Sequence, residues 1–213
     1  MPEFSTLLSA FVTLLVTIGP FETAPIFGGL TSGYLPAERQ RIARRAVTIA
    51  GVVLLGFALS GEWILAALHV SMPALRTAGG ILLFLEAVRL MLASPGLSSI
   101  TDSERAEARP PRDISVFPLA MPLIAGPGSL VAILLLVGQA QGRLLHVAAV
   151  LLVLLVCLVI TWATFSLADR LARILGVTGM DVVGRLSGLL LAALAMQFVF
   201  DGLREGLLAP AAS

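Results

Sequence analysis

The sequence predicts an all-α integral membrane protein. Six transmembrane helices are expected, arranged as two inverted three-helix repeats with the first and fourth helices broken at Gly-Pro. Composition, span lengths and a similarity between the two halves lead there. Of 213 residues, 58% are apolar and 13% charged, and the mean hydropathy is +0.99. A soluble domain carries roughly 25% charge, so this chain cannot cover a water-facing surface, and soluble enzyme classes are excluded. A formal charge of +1 gives no argument for nucleic acid. The single Cys157 excludes an internal disulfide and a multi-cysteine metal site. No cofactor is expected.

A bilayer core needs roughly 20 apolar residues per helix. The spans expected run near 4–30, 46–68, 74–93, 115–140, 147–167 and 183–203. Met1-Pro2-Glu3-Phe4 has no basic leader, so the first is expected to be a retained span rather than a signal peptide. The second is interrupted by Gly61-Glu62, and its last turns read as a separate short helix. The fifth is an unbroken apolar run through Val150–Val156. Trp63 and Trp162 fit an aromatic belt, and Gly51, Gly56, Gly184 and Gly188 fit close helix packing. His69 and His146 fall in outer connections.

The arginines set the orientation. Arg39, Arg41, Arg44 and Arg45 follow the first span; Arg89, Arg105, Arg109 and Arg112 follow the third; Arg170, Arg173 and Arg185 surround the fifth-to-sixth connection. These eleven of the fourteen basic residues share one side, leaving Arg76, Arg143 and Arg204 opposite. Positive charge collects in cytoplasmic loops, so both termini are expected on the non-cytoplasmic side of a prokaryotic inner membrane. Residues 94–113, with mixed charges and Pro110-Pro111, read as a solvated cytoplasmic linker between a first repeat (1–93) and a second (114–213).

The halves resemble each other faintly. Gly19-Pro20 matches Gly126-Pro127 at an offset of 107, and Arg76-x-x-Gly79 matches Arg185-x-x-Gly188 at 109. Three crossings per half force the second copy to enter from the opposite face, which is an inverted repeat of the kind many secondary transporters use.

The candidate site follows from the prolines. Gly19-Pro20 with Pro25, and Pro118, Pro122 and Pro127 with Gly126 and Gly128, are hard to hold in continuous helices. Ordinary proline kinks are the plainer reading; paired breaks at matching places point instead to a transporter site. A half-helix starting at Pro20 or Pro127 offers N–H groups to a carboxylate. Freed carbonyls, with the hydroxyls of Thr23 and Ser129, offer acceptors to an ammonium group. A small zwitterion satisfies both. Glu22 and Glu86 fall at membrane depth, where a charged residue faces protein or water. Glu22 is a candidate to carry a coupling proton or receive the ammonium, or is a carboxylate at the mouth of the break. Glu86 is a coupling candidate or simply pairs with Arg89. Arg76, Arg185 and Asp201 read as interfacial anchors.

These stretches resemble a known family. Gly19-Pro20-x4-Pro25-Ile26-Phe27 with the basic run Arg39–Arg45, Arg76-x-x-Gly79-Gly80, Pro118–Ser129, and Arg185-x-x-Gly188 through Gln197 to Asp201-Gly202 look like the MarC family over nearly the whole chain. The resemblance implies six inner-membrane spans. It also implies transport of small neutral amino acids such as glycine or alanine, coupled to a cation, H+ or Na+. Glu22 departs from the family pattern, where glycine is expected. Export of another small metabolite, a channel and an intramembrane enzyme are the alternatives; for the last, no histidine falls at membrane depth to act as a base. Membrane lipid and the solute are the partners expected, and homo-oligomerisation stays open.

Overall fold

The computed structural model describes residues 4–67, 69–92, 113–139 and 143–208. The expected linker at 94–113 therefore lies outside the described residues except for Asp113. Helices α1 (Phe4–Ile18) and α2 (Pro20–Leu30) meet at Gly19, followed by α3 (Pro36–Ala67) and α4 (Met72–Leu92). A wide-turned segment, Ser115–Ile124, leads into α5 (Pro127–Gly138), α6 (Leu144–Ser166) and α7 (Ala168–Leu208). Four stretches are long and apolar enough to cross a membrane: Thr6–Leu30, Pro36–Gly61, Leu144–Ser166 and Val182–Leu207. A fifth is Ser115–Ile124 with α5, bent by 54° between them. Helix α4 falls outside that set because its 21 residues hold Arg76, Glu86 and Arg89. The chain is a multi-pass α-helical membrane protein.

Three expectations need correction. The second span is not interrupted at Gly61-Glu62; α3 is one helix of 32 residues. Gly61 is held inside it because Leu134 of α5 occupies the place of its missing side chain. Arg39–Arg45 are not a loop but the first turns of α3, which Pro36 starts. The Glu38 carboxylate accepts the Leu35 N–H at 3.1 Å there. Arg170 and Arg173 lie, as expected, in the fifth-to-sixth connection, on the stretch of α7 before Gly176, where φ 60 and ψ −176 break the helix, and Arg185 lies in the first turn of the last span, Val182–Leu207. Arginine is a good helix former, so a charged stretch can extend a span instead of ending it. Gly56 is not a packing glycine, since nothing lies within 4 Å of its Cβ position.

Helices α4 and α7, the third helix of each half, form the most closely packed pair. Their backbones nearly touch. A Cβ on Gly80 would stand 2.8 Å from the Ala195 carbonyl oxygen and 2.9 Å from the Val199 nitrogen. One on Gly202 would stand 2.7 Å from the Thr77 nitrogen and 2.8 Å from the Pro73 oxygen. Arg76, near the start of α4, pairs with Glu205 near the end of α7. It is thus an inter-helix tie and not a free interfacial anchor. Helix α3 presents buried Ala43, Ala46, Ala50, Leu54 and Ala58 along one face, a spacing of three and four residues that lets α5 and α6 approach.

The end opposite the Arg76–Glu205 tie is basic and aromatic. Phe27 of α2 stacks on Phe165 of α6 with centroids 4.6 Å apart, and the Arg39 guanidinium lies 5.8 Å over the Phe27 ring. Arg39 Nε donates to the Thr31 hydroxyl at 3.0 Å. Arg45 pairs with Asp113 at 2.7 Å, bringing the start of the second half against α3. The Ser115 hydroxyl, donating at 2.5 Å, holds the Asp113 carboxyl below the usual carboxylate range.

Gly202→Leu should lower the thermal midpoint of purified protein by several degrees, corresponding to about 1–3 kcal/mol of overpacking. Gly56→Ala, with open space around it, should hold or raise that midpoint, since glycine inside a helix is less stable than alanine.

Candidate functional site

The first break is a single residue. Gly19 has φ 60 and ψ 50, a left-handed conformation that costs other residues about 1–2 kcal/mol. Its N–H still donates to Leu15 at 3.0 Å, and its carbonyl accepts Glu22 N–H at 3.1 Å and Thr23 N–H at 2.9 Å. The Thr23 hydroxyl donates to that same carbonyl at 2.9 Å. Pro20, Thr23 and Gly19 are buried, whereas Pro25 sits exposed within α2 without breaking it.

The second break is wider. Phe117 and Met121, each preceding a proline, are extended (φ −131 and −132), and the turns between them are loose. Leu119 N–H reaches Ile114 at 3.4 Å, and Ala125 N–H reaches Ala120 at 2.9 Å. Gly126 is extended, with φ −79 and ψ 173, and a Cβ there would run into the Pro122 carbonyl. Pro127 is exposed; Gly126, Gly128 and Ser129 are buried. The Ser129 hydroxyl donates to the Ile124 carbonyl at 2.7 Å and the Gly126 carbonyl at 3.0 Å. In α5 the first helix-type bond is Leu130 N–H to Gly126 at 3.0 Å. The N–H groups of Gly128 and Ser129 precede it, as orphan donors do at a helix start.

These bonds revise the expected division of labour. The Thr23 hydroxyl donates to the Gly19 carbonyl and the Ser129 hydroxyl to the Ile124 and Gly126 carbonyls, so both spend their protons on backbone while their oxygens can still accept. At the first break the Glu22 and Thr23 N–H groups are used and, among the described bonds, that of Phe21 is left open; the second leaves those of Gly128 and Ser129.

One carboxylate stands beside each break. Glu22 is in the first turn of α2 and Glu86 is on α4, close enough for their charges to interact. The Glu86 Cγ is 3.7 Å from the Cβ position of Gly128, at the start of α5. Its carboxylate also faces Arg89 at 3.4 Å, the pairing that their spacing predicts. The Glu22 Cγ lies 3.8 Å from the Cβ position of Gly184 on α7, which sets Ser187, three residues on along the same face, beside its carboxylate. Glu22 Oε2 also comes 3.3 Å from the Cβ position of Gly19. Both carboxylates thus stand at half-helix N-termini, where the dipole favours negative charge. Sequence reasoning treated Gly184 as packing and passed over Ser187. Their signal was a small and a hydroxylated residue three apart on one face of the last span. Among the described residues no three His, Cys, Asp or Glu side chains gather as a metal site.

The model of the MarC family integral membrane proteins matches residues 4–207. The chain belongs to the MarC family. It is 35% identical over 202 residues to the UPF0056 membrane protein YvbG of Bacillus subtilis, covering 94% of this chain and 95% of that one. A UPF0056 membrane protein of Aquifex aeolicus is 35% identical over 209 residues, 96% of each chain. The UPF0056 inner membrane protein YhgN of Escherichia coli K12 is 33% identical over 202 residues, 93% of this chain and 96% of the relative. No solved structure matches it significantly. Two features of the MarC-family resemblance, Gly19-Pro20 and Gly126-Pro127, are the two breaks just described.

Gly19→Ala should cost about 1–2 kcal/mol of stability, while Gly19→Asn, which tolerates the left-handed region, should cost less. Thermal unfolding in detergent measures both.

Proposed function

We propose that the chain is a secondary transporter of small neutral amino acids, driven by a proton and working across the cytoplasmic membrane of a prokaryote. In this reading it is not an enzyme. Helix α4 crosses despite its charges, because the Glu86 stem rests against Gly128 and Arg76 is tied to Glu205. With it the chain has six crossings in two inverted halves, and the Arg39–Arg45 end faces the cytoplasm with both termini on the other side.

One observation carries the reading. Two carboxylates from the first half meet the glycine-lined start of α5 and the Gly184–Ser187 face of α7 from the second. Ionisable groups at membrane depth mark ion or substrate pathways. A neutral amino acid fits the polarity there: its ammonium to Glu22 and Glu86, its carboxylate to the open N–H groups of Gly128 and Ser129. Small side chains are favoured because glycines line the crossing. When Glu22 takes up a proton, one negative charge leaves the site, and solute binding changes with it. That link is what coupling requires.

Counterflow in proteoliposomes against a panel of amino acids should show exchange of glycine, alanine or serine. An imposed pH gradient should drive their accumulation and a Na+ gradient should not. Glu22→Gln should abolish the gradient dependence while leaving the protein folded. Exchange restricted to solutes without an amino group would refute the substrate reading, and accumulation in Glu22→Gln equal to wild type would refute the coupling.

A further inference from the structure

Glutamate has a long, freely rotating stem, and a like charge nearby pushes its head away. Glu22 is in that position, since the Glu86 carboxylate repels it. What opposes the repulsion is on α7. Gly184 lets the Glu22 stem lie against the helix, with 3.8 Å between Cγ and the glycine's Cβ position. Ser187, three residues on and on the same face, stands within reach of the carboxylate. We infer that Ser187 is the positioning residue for Glu22, holding its carboxyl at the crossing in both the ionised and the protonated state.

The choice of a hydroxyl is what makes this specific. A serine hydroxyl rotates: it donates to a carboxylate and accepts from a carboxylic acid. An arginine or lysine in its place would favour the ionised form alone. A group that must gain and lose a proton without leaving its place needs a partner of the first kind. The surrounding charges do not offer a substitute. Helix α4 brings Glu86 and Arg89, which pair with each other. On α7 the neighbouring charged positions are Asp181 and Arg185, the latter already partnered. Helix α6 carries only His146, in its first turn, and Cys157, directed at the Phe11 carbonyl 4.0 Å away. The Ser115–Ile124 segment carries no ionisable residue. The tie also joins the two halves, since Glu22 belongs to the first and Ser187 to the second.

The inference rests on the reading of Glu22 as the proton carrier, and infrared spectroscopy of the full chain in lipid separates the two. The Glu22 carboxyl band is identified by its loss in Glu22→Gln. Ser187→Ala should displace and broaden that band, and Ser187→Thr should restore it, with helix content and thermal midpoint unchanged in both. pH-driven uptake of labelled alanine should fall about tenfold in Ser187→Ala, the effect of losing one hydrogen bond to a charged group, and recover in Ser187→Thr. A Glu22 band unmoved by Ser187→Ala overturns the inference, whatever the transport rate. Unaltered gradient dependence in Glu22→Gln overturns instead the reading on which it rests.

Discussion

Hydrocarbon offers no hydrogen bonds, so a helix that opens inside a membrane must satisfy its freed backbone groups from its own side chains or neighbours. Everything distinctive in this chain follows from that demand being met twice. At Gly19 and at Gly126 the helix opens, and one buried hydroxyl at each place, Thr23 or Ser129, donates to backbone carbonyls beside the break.

That economy decides what remains for chemistry. The first break uses the Glu22 and Thr23 N–H groups and leaves that of Phe21, and the second leaves two N–H groups at the start of α5. Carboxylates from α2 and α4 fill the ground between. The α4–α7 pair, packed backbone to backbone through Gly80 and Gly202, provides a stiff support for Glu86 on one side and for Gly184 and Ser187 on the other. Charge thus sits where four helices from both halves converge, which is the place where a change in protonation acts on both halves at once.

Much of this was legible in the sequence, and for physical reasons. Length and hydropathy located the apolar spans, because burial in lipid is a property of composition. The breaks were legible because proline cannot donate and Gly19 alone can adopt φ 60 cheaply. Helix α3 was harder: Arg39–Arg45 look like a loop by polarity, yet arginine continues a helix as readily as it ends a span. The width of the second break was also hidden, since two X-Pro steps permit several loose windings. Contacts between distant residues were hidden most. Nothing local tells that Glu22 faces Glu86 and Ser187, that Leu134 fills the space beside Gly61, or that the Thr23 hydroxyl donates to the backbone.

The central claim is that the two openings lie side by side with both carboxylates between them. An experimental density map of the protein in lipid, at side-chain detail, tests it most directly. The account predicts chain breaks at residues 19 and 126, with Glu22 directed toward Ser187 on one side and Glu86 resting against Gly128 on the other. Continuous helices through either position, or the two glutamates turned toward lipid on separate faces, would contradict it.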